Sequence, residues 1–201
     1  WTPSSDIVNA LEPVAPTIQK GIFAFGDTGS YTNIKNLVGS NGVVAADVTG
    51  VGTARGFMAA STYGTDKAIF GFGNTGSLTG VTNLVNNSGV VANDTAAVGT
   101  AKQDLSAAGY GTDLAIFAFG NTGSMSNSRN LVSNQGVVAS DATGAGTARQ
   151  RMGAARYGTG TAIFAFGENG GKTTNKNLVS NTGVIASDTS GAGTALTSHM
   201  A

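Results

Sequence analysis

The sequence predicts an all-β protein, a four-bladed β-propeller built from 47-residue four-stranded repeats, and three observations carry that prediction. The pentapeptide Ile22-Phe23-Ala24-Phe25-Gly26 returns at Ile69, Ile116 and Ile163, each time 47 residues later, and no insertion or deletion breaks the register up to Ala201. A strict period of 20–50 residues marks one supersecondary unit stacked on copies of itself. Within each copy, four short extended segments alternate with Gly, Asn and Ser turns, the make-up of a propeller blade. No stretch sustains a 3.6-residue apolar period, so helices are expected to be nearly absent.

Copy two, from Ile69 to Ala115, shows how each element arises. Its first segment is the apolar run ending in Gly73. Phe occupies one side of this run and Ile or a small residue the other, as in a strand covered by a neighbouring sheet on each face. A polar Gly/Asn/Thr/Ser stretch leads to the second segment, Asn83-Leu84-Val85. A short turn ending in Gly89 follows, matched by Ser40-Asn41-Gly42, Asn134-Gln135-Gly136 and Asn181-Thr182-Gly183. Glycine in last place suits a hairpin that needs a positive φ. The third segment is Gly89-Val90-Val91-Ala92, and a loop through Asp94 carries the chain to Gly99-Thr100-Ala101. The fourth, Leu105-Ser106-Ala107-Ala108, is rich in small residues, as are Met58-Ala59-Ala60 and Met152–Ala155. Such segments fit innermost strands crowded about an axis. Tyr110-Gly111-Thr112-Asp113 then turns the chain into the next copy.

The repeats are 22–68, 69–115, 116–162 and 163–201, within a single propeller domain over 12–201 that follows a leader at 1–11. The small inner segment occurs cleanly only three times, because the fourth copy ends Leu196-Thr197-Ser198-His199-Met200-Ala201. A closed ring therefore needs a terminus to supply one inner strand. Residues 12–21 are expected to do so, since Lys20-Gly21 stands in the register of Lys67-Ala68, and Pro13 and Pro16 are tolerable in an edge strand. Pairing of the chain from Leu196 onward is the alternative. Beginning at Trp1 without an initiator Met, the chain reads as a processed product or a fragment of something longer.

Composition narrows the function classes. Eleven Lys and Arg balance eleven Asp and Glu, and no basic cluster is present. Nucleic acid is therefore not an expected partner, because phosphate neutralisation supplies most of such affinity. The longest apolar runs are five or six residues, well short of the ~20 that span a bilayer as a helix, so no membrane insertion is expected. Cysteine is absent, which removes disulfides and thiolate metal sites. Only 11% of residues are charged while 31 are Gly, against about a quarter charged in ordinary domains. A surface built from amides, hydroxyls and backbone is common among extracellular and viral β-proteins.

The string Tyr110-Gly111-Thr112-Asp113-Leu114-Ala115-Ile116-Phe117-Ala118-Phe119-Gly120, with Asn130-Leu131-Val132-Ser133-Asn134 and Gly136-Val137-Val138-Ala139-Ser140-Asp141, resembles kelch-like repeats. These are the Gly/Thr/Asn-rich tandem repeats of tailed-bacteriophage virion proteins, notably tail fibres and other appendages. The resemblance spans residues 22–201. It departs from eukaryotic kelch in having single glycines after the apolar strand, without the double-Gly and Trp marks. It implies a propeller on a virion, with a structural or host-attachment role and other virion proteins as partners. A secreted or cell-surface setting is the alternative location. The resemblance brings no catalytic residues, and propellers serve many tasks. Oligomeric state is not readable at this level.

The sequence points to binding rather than catalysis. The single histidine, His199, has no partners for a triad or a zinc site, and it reads as a tail residue. Asp47, Asp94, Asp141 and Asp188 share one repeat position. Each is expected to cap its own turn by accepting backbone N–H groups, the alternative being a ring of acids around a cation. Asp66 and Asp113 read as hairpin-turn residues. Paired carboxylates in a cleft, which a polysaccharide hydrolase would need, do not stand out. No enzyme activity, metal or cofactor is expected. The copies differ most in the loops between the first and second segments, which are expected to share a face with the loops leading into the inner strands. Candidate ligand-binding residues there are Tyr31, Asn33, Lys35, Thr79, Thr82, Asn127, Arg129, Asn175 and Lys176, because amides, hydroxyls, cations and one aromatic can satisfy sugar hydroxyls. The ligand class is a host surface glycan or protein; the alternatives are solvated loops and a purely architectural module. Tyr63, Tyr110 and Tyr157 are expected to pack between blades, the alternative being a ring of phenols near the axis that binds a ligand or a partner.

Overall fold

The computed structural model describes residues 21–96 and 98–197, and those residues form strands and turns with no helix. Sheet I contains β1 (Gly21–Asp27), β2 (Tyr31–Val38) and β3 (Val48–Thr49). Sheet II contains β4 (Ala59–Tyr63), β5 (Lys67–Gly71) and β6 (Thr82–Val85). Sheet III has four strands, β7 (Ser106–Tyr110), β8 (Leu114–Ala118), β9 (Ser128–Val132) and β10 (Ala142–Thr143). Sheet IV repeats that plan with β11 (Gly153–Tyr157), β12 (Thr161–Ala165), β13 (Asn175–Val179) and β14 (Thr189–Ser190). All pairings are antiparallel between strands consecutive in the chain, so each sheet is a meander, and β4, β7 and β11, which end one repeat, pair with strands of the next.

The first, second and fourth expected segments become strands. The third does not, and it touches its neighbour only through single bridges such as Val85↔Val91 and Val132↔Val138. A side chain is the reason. Asn83, Asn130 and Asn177 each donate Nδ2 to the carbonyl of Ala92, Ala139 and Ala186, at 3.0, 3.0 and 2.9 Å. The amide takes an acceptor that a ladder would otherwise use, and the chain leaves the sheet. It rejoins farther on, as the two-residue strands β3, β10 and β14 in sheets I, III and IV and as the Thr82↔Thr95 bridge in sheet II.

The sheets stack in chain order. Ala24 and Phe25 of sheet I pack with Phe70, Val85 and Val91 of sheet II. On its other face sheet II sets Tyr63, Ile69 and Phe72 against Leu105, Phe117, Val132 and Val138 of sheet III. Sheet III then sets Tyr110, Ile116 and Phe119 against Met152, Phe164 and Ile185 of sheet IV. An edge-to-face or tilted Phe pair sits at each junction, Phe25–Phe70, Phe72–Phe117 and Phe119–Phe164, with centroids 5.3–5.5 Å apart; such pairs add about 0.5–1.5 kcal/mol beyond burial. The inner strands β4, β7 and β11 adjoin one another in that order.

Among the described residues, nothing packs over the two outer faces of the stack. Phe23 is 64% exposed although Phe70, Phe117 and Phe164 at the same repeat position are buried. Tyr157 and Leu178 on sheet IV are each 42% exposed, whereas Tyr63 and Tyr110 are buried as expected for packing residues. Among the described residues no strand pairing or core cluster joins sheet IV back to sheet I. The strand expected from residues 12–21 falls almost wholly outside the described residues; Gly21 itself opens β1. His199 also lies outside them.

Identical residues at one repeat position should therefore differ in consequence. Phe117→Ala is expected to cost about 3–5 kcal/mol, the range for emptying a core aromatic. Phe23→Ala should cost under about 1 kcal/mol, read from urea unfolding midpoints of dilute protein.

Candidate functional site

The edge that carries the variable loops is positioned by a cation inserted between each pair of sheets. Arg55, Lys102 and Arg149 recur at one repeat position, just before the inner strand, and all are fully buried. Arg55 lies 4.1 Å from the Phe25 ring centroid of sheet I, Lys102 4.8 Å from Phe72 of sheet II, and Arg149 4.8 Å from Phe119 of sheet III. On the other side each is hydrogen-bonded into the following sheet. Arg55 donates Nε to the Phe72 carbonyl at 3.0 Å and Nη2 to Asn83 Oδ1 at 2.6 Å. Arg149 makes the equivalent bonds to the Phe166 carbonyl and Asn177 Oδ1. Lys102 is shorter and has no fork, so it donates to Asn130 Oδ1 at 2.7 Å and to the Ser128 hydroxyl at 3.1 Å.

Each cation is matched by an aspartate of the sheet it enters. Asp94, Asp141 and Asp188 accept from the backbone N–H and hydroxyl of Thr53, Thr100 and Thr147, residues 41 positions earlier in the chain. They also accept from Asn83, Asn130 and Asn177 at 2.8 Å. The expectation that each Asp caps its own turn is thus corrected: the N–H groups it accepts belong to the linker from the preceding sheet. Nor do these carboxylates form a ring about an ion, because each is spent at its own junction. Among the described residues no cluster of His, Asp or Glu could hold a metal.

Burial holds the Lys102 ammonium down to about 8 against the pull of Asp141, and Arg55 down to about 10 against that of Asp94. For Asp188, burial pushes the carboxyl up. Hydrogen bonds from Thr147 and Asn177, together with the Arg149 charge 3.0 Å away, outweigh it and set the group at about 2.

The same junction bends the backbone. Phe25, Phe72, Phe119 and Phe166 take φ of 63–65°, and the glycine after each is also at positive φ. Gly26, Gly73 and Gly120 donate their N–H to the carbonyls of Arg55, Lys102 and Arg149. A Cβ on Gly120 would stand 2.7 Å from the Gln103 carbonyl oxygen, so only glycine fits.

A second row of strained residues follows the cations. Phe57, Asp104 and Arg151 occupy one repeat position with φ of 53–55°. They are linked across sheets, Asp104 N–H to the Phe57 carbonyl at 3.1 Å and Arg151 N–H to the Asp104 carbonyl at 2.9 Å. Non-glycine residues held at positive φ cost about 1–3 kcal/mol each and cluster at functional sites. Phe57 is 51% exposed and meets the Tyr31 ring edge-on at 6.2 Å. Arg151 reaches Asp104 at 3.5 Å and Glu168 at 3.0 Å. Beside this row Asn74 donates to Gln103 and Asn121 to Gln150, which in turn donates to Glu168, at 2.6, 2.8 and 2.7 Å. The bridges Gly56↔Asn74, Gln103↔Asn121 and Gln150↔Glu168 bring the variable loops and the inner-strand linkers onto one edge.

The residues expected to bind ligand have mixed positions. Tyr31 belongs to this edge. Asn33 and Asn127 spend their Nδ2 groups on loop carbonyls, of Gly50 and Gly52 and of Gly144 and Gly146. Thr79 accepts the Val81 N–H, and Asn175 reaches Asp188. Lys35 donates to the Gly89 carbonyl and Arg129 to that of Thr143. Lys35, Thr82, Arg129 and Lys176 recur at one place on four successive sheets and do not meet one another. Thr82 is buried beside a 220 Å³ groove between sheets II and III whose lining includes Leu84, Thr95, Gln135 and Val137. That groove holds no ionisable side chain. Phe57, the most exposed aromatic of the edge, was not among the expected residues, because its counterparts Asp104 and Arg151 share none of its chemistry.

Asp188 makes the junction acid-sensitive. Its folded value lies below the unfolded one, so its stabilisation is complete above about 4 and is lost as pH falls toward 2. Between pH 5 and pH 3 it should account for about 1 kcal/mol. Urea titrations at the two pH values should show that loss shrinking by this amount in Asp188→Asn.

No protein-family model and no curated protein matches the chain.

Proposed function

We propose that the chain is a non-enzymatic binding module whose four sheets are propeller-type blades, carried on a phage virion as part of a tail fibre or other appendage, and that its variable edge contacts a host surface glycan. The virion setting rests on the resemblance of the repeat; a secreted or cell-surface module would present the same edge. The observation that carries the binding reading is the Phe57–Asp104–Arg151 row. Among the described residues it is the one place where non-glycine residues recur at positive φ while their side chains differ. The junction positions of Phe25, Asn36 and Asp47 hold the same residue in all four copies, whereas here the chemistry runs from aromatic to acid to cation. Phe57 with Tyr31 offers a ring face to sugar C–H groups, while the Asn and Gln amides nearby suit hydroxyls. A host surface protein would use the same aromatic and arginine as anchors.

The architectural alternative, a connector or decoration within the particle, draws on the open apolar faces at the two ends of the stack. A glycan array of host envelope sugars separates the two readings. The binding reading expects retention of at least one envelope glycan. Phe57→Ala should then weaken binding by at least tenfold with the unfolding midpoint unchanged. Retention of no host glycan or surface protein, or equal binding by Phe57→Ala, would sink it.

A further inference from the structure

We infer that the two open ends of the stack are complementary halves of one more sheet-to-sheet junction, and that a second copy of this chain docks there head to tail. This inference is independent of any ligand at the variable edge.

Each end of the stack carries half of what an internal junction carries. Toward the preceding sheet, sheets II, III and IV present Phe70, Phe117 and Phe164, followed by Val91, Val138 and Ile185, all buried. Sheet I presents Phe23 and Val44 in the same places, and both are exposed. Toward the following sheet, sheets II and III present Tyr63 with Leu84 and Tyr110 with Leu131. These form sockets for the turn glycines Gly136 and Gly183: a Cβ on Gly136 would stand 2.8 Å from Leu84 Cδ2 and 2.9 Å from Tyr63 Cζ, and one on Gly183 2.8 Å from Leu131 Cδ2 and 3.0 Å from Tyr110. Sheet IV presents Tyr157 and Leu178 half in solvent, and Gly42, the turn glycine of sheet I, has nothing within 4 Å. One end carries the socket and the other the turn that fills it.

The polar seam is complementary too. Thr53, Thr100 and Thr147 bond Asp94, Asp141 and Asp188 across the internal junctions. Thr194 is the next member of the threonine series and Asp47 the first of the aspartates; both are exposed. Asp47 is already oriented by the Asn36 amide at 2.7 Å. The junction would differ in one respect. Leu196 stands where Arg55, Lys102 and Arg149 stand elsewhere, so no cation needs to be desolvated when two molecules meet. A junction formed within a folded chain can bear that cost, whereas one that forms by association is cheaper without it. Because the faces differ, the contact is heterologous and builds a ring or a filament according to whether its rotation closes.

The absence of cysteine makes the test clean. Two single variants, Thr194→Cys and Asp47→Cys, are mixed and oxidised, and the double variant is oxidised alone. The mixture should give a disulfide-linked dimer containing one of each chain, and the double variant a ladder of multimers. Sedimentation of the unmodified chain should show mass rising with concentration, and Phe23→Asp should return it to monomer. A double variant that forms only an intrachain disulfide would overturn the inference in favour of a closed four-sheet ring. So would a chain that stays monomeric at all concentrations and forms no mixed dimer.

Discussion

The structure depends on placing a positive charge between two sheets without leaving it unpaired. Removing a guanidinium or ammonium from water costs several kcal/mol. At each junction that cost is offset by a ring face in the preceding sheet, worth about 2 kcal/mol when desolvated, and by charge-assisted hydrogen bonds of about 1.5–3 kcal/mol to the following one. Arg55 illustrates the consequence: it touches the Phe25 ring, the Phe72 carbonyl and the Asn83 amide at once. These contacts set the spacing between sheets, the bend after the apolar strand and the place where the inner strand begins. Apolar packing holds the sheets together; the cation fixes how they are offset.

The chain achieves this with two kinds of cation, and the neighbours adjust. Where arginine stands, its fork spans both the carbonyl and the amide. Lys102 cannot, and sheet III supplies the Ser128 hydroxyl where sheet II has Val81 and sheet IV has Asn175. An Arg and a Lys at one repeat position are therefore not interchangeable in isolation.

Much of the fold was legible because its signals are local. The apolar run of β5 or β8, the glycine turns and the small inner strands announce themselves within a few residues. The third segment misled because Val90-Val91 looks like a strand, while the residue that prevents it, Asn83, acts through its side chain. The buried cations were harder still, since a charged residue is read as solvated by default. Their signal lay in recurrence: Thr-Ala followed by Arg55, Lys102 or Arg149 in a chain with few charges. At the candidate edge, the variable loops were legible, whereas what their side chains touch was not. Asn33 and Asn127 look like free amides and are structural ties, whereas Phe57 is hidden among unlike counterparts.

The tie between Thr53 and Asp94, repeated at Thr100 and Thr147, has a consequence for how the chain is made. In every case the donor is synthesised 41 residues before its acceptor. A linker leaving the ribosome has no partner until most of the next sheet has followed it out. Completion therefore moves along the chain one sheet behind synthesis, with contacts confined to adjacent units, as in other quasi-one-dimensional folds. The nascent protein always carries one unfinished seam at its growing end, and that seam advances by one repeat each time a sheet closes over the last.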